Sequence, residues 1–145
     1  MQEKLIASSD HAGIALRGVA VRAAAAAGFQ VDERGPAPGE RAEYPAEARR
    51  VAEAVAAGEA RFGILVCGTG IGMSIAANKV RGVRAAVCTT EYEARMARAH
   101  NDANVLCLGE RVLGVGVCEG IVRAFLETAF EGGRHAERVS RIEAT

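Results

Sequence analysis

The chain carries no excess of charge of either sign: Lys plus Arg and Asp plus Glu both total 18, for a formal net charge of zero. That balance lacks the positive field that a nucleic-acid backbone or an anionic membrane would select, so neither is expected as a partner. It also leaves copies of the chain little reason to repel one another. No segment approaches the ~20 apolar residues of a membrane span, and Met1-Gln2-Glu3-Lys4 leads into a short apolar run rather than a signal peptide. Repeats are absent, and the alanine-rich stretch at 23–27 is simply a good helix former. The four cysteines, Cys67, Cys88, Cys107 and Cys118, are too widely spaced for a C-x-x-C metal knuckle. A chain of 145 residues buries about 70% of its unfolded surface and has little need of disulfides, so reduced thiols in a cytoplasm are expected. Three of those thiols read as core filler.

What is present is an alternation of apolar runs with amphipathic stretches, read as one domain over residues 1–145. Lys4 to Ser9 reads as a buried strand, and 12–27 as a helix with Leu16, Val19, Ala20, Ala23, Ala24 and Ala27 on one face and Gly28 as its stop. Phe29 to Glu33 is a second strand, followed by a Gly-Pro loop at 35–39. Pro45 opens a helix that turns Ala48, Val51, Ala52 and Val55 inward. Strands over Phe62–Cys67, Val83–Cys88 and Asn104–Leu108 alternate with helices over Met73–Lys79, 91–99 and 114–130. Five βα units in succession imply an α/β fold, a doubly wound five-stranded parallel sheet of the Rossmann or flavodoxin type, with a C-terminal helical tail. The expected strand order is 2-1-3-4-5.

In such sheets the site lies beyond the carboxyl ends of the strands, where the strand order reverses. Order 2-1-3-4-5 sets strands one and three side by side there. Ser9-Asp10-His11 follows the first, and Cys67-Gly68-Thr69-Gly70-Ile71-Gly72 follows the third. Alternate glycines between a strand and a helix let backbone N–H groups converge on an anionic oxygen. A thiol at that loop has its thiolate favoured, which should bring it below the free value of about 8.5. A base beside an oxyanion cradle is what proton abstraction next to a carbonyl requires. The same residues also fit a plain tight turn with a strand-end cysteine, and spacing leaves both readings open.

Three better-known motifs do not fit. A nucleotide P-loop ends in Gly-Lys-Ser/Thr, and Gly72-Met73-Ser74 lacks the lysine. A dinucleotide fingerprint places its third glycine one position later, at Met73, and a cysteine phosphatase wants arginine at that same position. The remaining polar features also read in two ways. Asp10 suits a helix cap as well as a site, and Thr69 suits a turn. His11, His100 and His135 all have polar neighbours and suit exposed positions. Arg134 and Arg138, at i and i+4, suit a phosphate clamp or a solvated terminal helix, with Arg141 at the surface.

Taken together, Ser9-Asp10-His11-Ala12-Gly13, Tyr44-Pro45, the run Cys67 to Gly72 with Ser74-Ile75-Ala76-Ala77-Asn78-Lys79, His100-Asn101-Asp102-Ala103-Asn104 and Gly132-Gly133-Arg134-His135 with Arg138 resemble the type B ribose-5-phosphate isomerase family, which includes the galactose-6-phosphate isomerase subunits. The matches run from about residue 5 to 140. The resemblance implies an aldose–ketose isomerase of the pentose phosphate pathway that interconverts ribose 5-phosphate and ribulose 5-phosphate through an enediolate, without metal or organic cofactor. Cys67 would carry the proton between C1 and C2. Thr69 and the amides of Gly68, Gly70 and Gly72 would hold the oxyanion, His100 would assist ring opening, and Asp10 would position hydroxyls. His11, Arg134 and Arg138 would bind phosphate, with Arg111 and His135 as further candidates, and Tyr44 and Asn101 would line the pocket. Some relatives use a glutamate at the end of the glycine loop in place of the cysteine. Met73 stands there, so Cys67 has no substitute; Glu43 replaces a frequent Asp before Tyr-Pro. The same chemistry on a hexose or tetrose phosphate, and a non-catalytic sugar-phosphate-binding module, are the alternatives.

Topology adds one expectation of its own. His100 closes the helix before the fifth strand, at the amino-end edge of the sheet, and a strand of five or six residues is ~17–20 Å long. His100 is therefore expected to lie too far from Cys67 of its own chain and to serve the site of a neighbouring copy in a homodimer or tetramer.

Overall fold

In the computed structural model, which describes residues 2–145, every apolar run becomes a strand and every amphipathic stretch a helix. The order is β1 (Lys4–Ser9), α1 (Ile14–Ala26), β2 (Gln30–Glu33), α2 (Tyr44–Ala56), β3 (Phe62–Cys67), α3 (Ile71–Ala77), β4 (Ala85–Val87), α4 (Glu91–Asn101), β5 (Val105–Gly109), α5 (Val115–Glu127) and α6 (Arg134–Glu143). The helix ends follow local chemistry. After α1, Gly28 at φ +96° lets its own amide reach Ala25 O and the Phe29 amide reach Ala24 O, a Schellman turn. Thr90 caps α4 by accepting from Glu93 N, and the Glu93 carboxylate accepts from Thr90 N in return. The tail at 134–143 is helical.

All strand pairs are parallel, in the order β2-β1-β3-β5-β4. The doubly wound class is as expected, but the last two strands exchange places. The interior position between β3 and the edge goes to β5, whose five residues are all buried, while the three-residue β4 is only half-buried and takes the edge. Right-handed crossovers then send α2 and α3 to one face and α1, α4 and α5 to the other. In the expected order α4 would have joined the α2 and α3 face.

The open edge of β4 is blocked from within the chain. The side-chain amide of Asn78 donates to Ala85 O at 3.0 Å and accepts from Ala85 N at 2.8 Å, filling the position of a sixth strand. Among the described residues no helix is long and apolar enough to cross a membrane. The four cysteines are free and buried.

Candidate active site

The exchange of β4 and β5 leaves the neighbours β1 and β3 unchanged, so the strand-order switch remains where the sequence locates it. Ser9 pairs with Val66, and Asp10 N donates to Val66 O at 3.2 Å, so the turn after β1 lies against the end of β3. Gly13 makes this approach possible, since a Cβ there would stand 2.6 Å from Val66 O. Asp10 is buried, and its Oδ1 accepts from Ala12 N at 2.9 Å. The carboxylate thus shapes the turn while sitting beside the end of β3.

Cys67 ends β3 at 5% exposure. Its Sγ accepts the Gly70 amide at 3.1 Å, and its carbonyl accepts from Glu110 N at 2.9 Å. Gly70 adopts φ +82° against the Leu108 backbone. The loop therefore wraps back on the sulfur, and at least one amide is committed to it rather than to a bound oxygen. The Ile71 amide is likewise taken, by Thr69 Oγ1 at 3.2 Å. The other cysteines differ: burial pushes the Cys88 thiol up to about 12 and Cys118 up to about 11, and Cys107, fully enclosed, higher still. They pack as core residues, which matches the reading of three filler cysteines.

Three further candidates border the loop. The Tyr44 ring lies on Gly72, where a Cβ would stand 2.6 Å from its Cε1, and the ring is 40% exposed. The Arg111 guanidinium lies against Gly68, and the Arg111 amide donates to Gly68 O at 3.0 Å. His11, on the same turn as Asp10, donates from Nδ1 to Ala42 O at 3.0 Å, just ahead of Tyr44. Asp10, His11, Tyr44, Cys67, Gly68, Thr69, Gly70, Gly72 and Arg111 thus belong to one end of the sheet.

The other candidates gather at the opposite end. Cys67 pairs with Gly109, whereas α4 finishes before Val105, which pairs with Gly63. Four residue steps at about 3.3 Å each separate the two levels. There Asp102, the one described non-glycine residue with positive φ (46°), ends α4 right after His100 and Asn101. Positive φ at Gly132 (69°) and Gly133 (56°) turns the chain into α6. His135 then stacks on His100, with ring centroids 4.1 Å apart and planes 7° apart. Burial lowers the His135 pKa below its ordinary value, and the charges of His100 and Arg134 act the same way. Arg134 and Arg138 are exposed with no carboxylate within 4.0 Å among the described residues, whereas Arg141 pairs with Glu137 at 2.8 Å.

Nitrogen and oxygen atoms of His100, Glu131 and His135 lie within 4.8 Å of one another, a donor set of metal-binding type. Their stacked rings direct in-plane lone pairs along parallel planes, so a shared ion would require one ring to turn. A cavity of about 560 Å³, lined in part by Asn101, lies at this same end of the sheet between Lys79–Ala86 and the end of α6.

Two contributors escaped sequence reading. Glu110 accepts Leu16 N at 2.9 Å on its carboxylate while its amide holds Cys67 O, which ties α1 to the thiol loop. Arg17, 7% exposed, donates to Ser9 Oγ (2.8 Å), Glu33 Oε2 (2.9 Å) and Pro36 O (3.0 Å) behind Asp10. Their partners are distant in sequence, and no local pattern marks them.

Fold and crevice together define a doubly wound α/β protein with a thiol-bearing loop at the strand-order switch. The chain belongs to the ribose/galactose isomerase family, whose model matches residues 5–142. It is 46% identical to ribose-5-phosphate isomerase B of Escherichia coli strain K12 over 142 residues, which covers 98% of this chain and 95% of that protein. A D-erythrulose-4-phosphate isomerase of Pectobacterium atrosepticum is 48% identical over 104 residues, 72% of this chain and 68% of its own. The type B ribose 5-phosphate isomerase structure from Trypanosoma brucei superimposes with a TM-score of 0.96 at 50% identity, covering 99% of each chain.

Proposed function

We propose that the chain, acting as a single domain, interconverts ribose 5-phosphate and ribulose 5-phosphate. The Escherichia coli relative, matched over nearly the full length of both chains, supports the substrate. The observation that carries the mechanism is the Gly70 amide directed at Cys67 Sγ at 3.1 Å, at the level of Asp10. Cys67 removes the proton from C2 of the open-chain aldose. The C–H electron pair becomes the C1=C2 double bond, and the carbonyl π pair moves onto O1 as the enediolate oxyanion. Return of the proton to C1, with transfer of the O2 proton to O1 so that the C2 carbonyl forms and O1 becomes a hydroxyl, gives the ketose. Thr69 and the unengaged loop amides serve the oxyanion, Asp10 the hydroxyls, and Tyr44 walls the pocket over Gly72.

His100, Asn101, Arg134 and Arg138 lie at the far end of the sheet, so they complete the site of a second copy, in a homodimer or tetramer. His11 and Arg111 then meet the phosphate from the Cys67 side and the α6 arginines from the other, the bidentate donors that suit a dianion. Four free thiols suit a reducing cytoplasm.

Assay of four-, five- and six-carbon aldose phosphates tests the substrate. Cys67→Ala tests the base: turnover is lost while sugar-phosphate binding persists. Unchanged turnover would exclude the mechanism, and binding without conversion by the unmodified chain would mark a binding module.

A further inference from the structure

We infer that His135 and Glu131 form a positioning pair that fixes the imidazole of His100 for sugar-ring opening, and that His135 is not a phosphate ligand. The inference rests on the isomerase reading above and assigns a division of labour within it. The His135 side chain is 9% exposed, too enclosed to meet a phosphate, whereas that of His100 is 39% exposed. The two rings are parallel and 4.1 Å apart, so His135 covers one face of the His100 ring and leaves its edge to solvent. Glu131 Oε1 stands 3.5 Å from His135 Nε2 and 3.9 Å from His100 Nε2, so one carboxylate faces both rings. The backbone holds all three groups in place: Glu131 N donates to Ala99 O at 3.0 Å, and His135 N donates to Gly132 O at 3.0 Å. Glu131 is thereby fastened to the end of α4 beside His100, and the Gly132-Gly133 turn brings the His135 ring over it. An acid–base group gains from a fixed ring orientation because proton transfer depends on hydrogen-bond reach and angle.

Ring opening and enolisation separate experimentally. Ribose 5-phosphate has a free 4-hydroxyl and closes a five-membered ring that the enzyme has to open. Ribulose 5-phosphate carries its phosphate on O5 and cannot close such a ring, so exchange of its C1 hydrogen with deuterium oxide reports enolisation alone. For His135→Ala we expect turnover of ribose 5-phosphate to fall about 10- to 100-fold in kcat, with KM within about twofold and the exchange rate nearly unchanged. His135→Phe, which restores a flat ring in the same place and guards against misfolding, is expected to recover most of the loss. Glu131→Gln should show the same selective loss to a smaller extent.

A rise in KM at unchanged kcat would overturn the proposal by making His135 a phosphate ligand. Parallel loss of turnover and exchange would overturn it by making the role structural, and so would unchanged kinetics. If the unmodified chain neither turned over ribose 5-phosphate nor exchanged ribulose 5-phosphate, the isomerase reading would fall instead.

Discussion

The Gly70 amide reaches back three residues to the Cys67 sulfur at 3.1 Å, and it does so because Gly70 holds φ +82° with no side chain between it and Leu108. A Cβ at Gly70 would stand 3.1 Å from the Leu108 carbonyl carbon in a conformation that L residues avoid. Gly70→Ala is therefore expected to cost about 1–2 kcal/mol in denaturant unfolding. It should also lower kcat, since the amide can no longer sit on the sulfur. Wild-type kinetics in a folded variant would break the link between this bond and the thiol's chemistry.

Thiol labelling separates Cys67 from the other three. With burial holding Cys88 up to about 12 and Cys118 up to about 11, both remain protonated at pH 8, as does Cys107. Native protein treated with iodoacetamide should thus be modified at Cys67 first, as read by peptide mass spectrometry. Prior modification at Cys88 would contradict this order.

Tyr44 rests on Gly72 at the flexible end of a side chain rather than on backbone. Gly72→Ala should push the ring aside with little loss of stability, of the order of 0.5 kcal/mol. The pocket wall moves with it, so KM for the sugar phosphate should rise severalfold while the melting temperature holds. A large drop in melting temperature at unchanged KM would show that the contact serves packing alone.

The separation of His100 from Cys67 along the sheet makes complementation decisive. Cys67→Ala and His100→Ala chains are each expected to be inactive. Mixed after dissociation and reassociation, they should recover about a quarter of the wild-type activity, because each mixed dimer holds one intact site. No recovery despite demonstrated subunit exchange would confine the site to one chain.

The depressed His135 pKa has a signed consequence. A histidine held below its unfolded value of 6.5 releases its proton on folding, so stability is full above that value and declines as pH falls through the window beneath it. Melting temperatures at pH 7.5, 6.5 and 5.5 (values chosen about the ordinary histidine range) should fall more steeply for wild type than for His135→Phe. Equal slopes would place the acid sensitivity elsewhere.

The five βα units, the glycine loop after the third strand and the residues that flank it are all legible in the order of the amino acids. These rest on periodicity, strand-end position and the conformational freedom of glycine, all properties of neighbours along the chain. Which of the last two strands lies inside the sheet and which forms its edge was settled only by tertiary packing, because the fully buried β5 outcompetes the short β4 for the position covered on both faces. The same packing also decided that Glu110 clamps α1 to the thiol loop, that Arg17 braces the turn at Asp10, and that His135 packs face to face with His100. Those contacts join residues up to 94 positions apart, and their geometry is fixed only once both sheet faces have been covered.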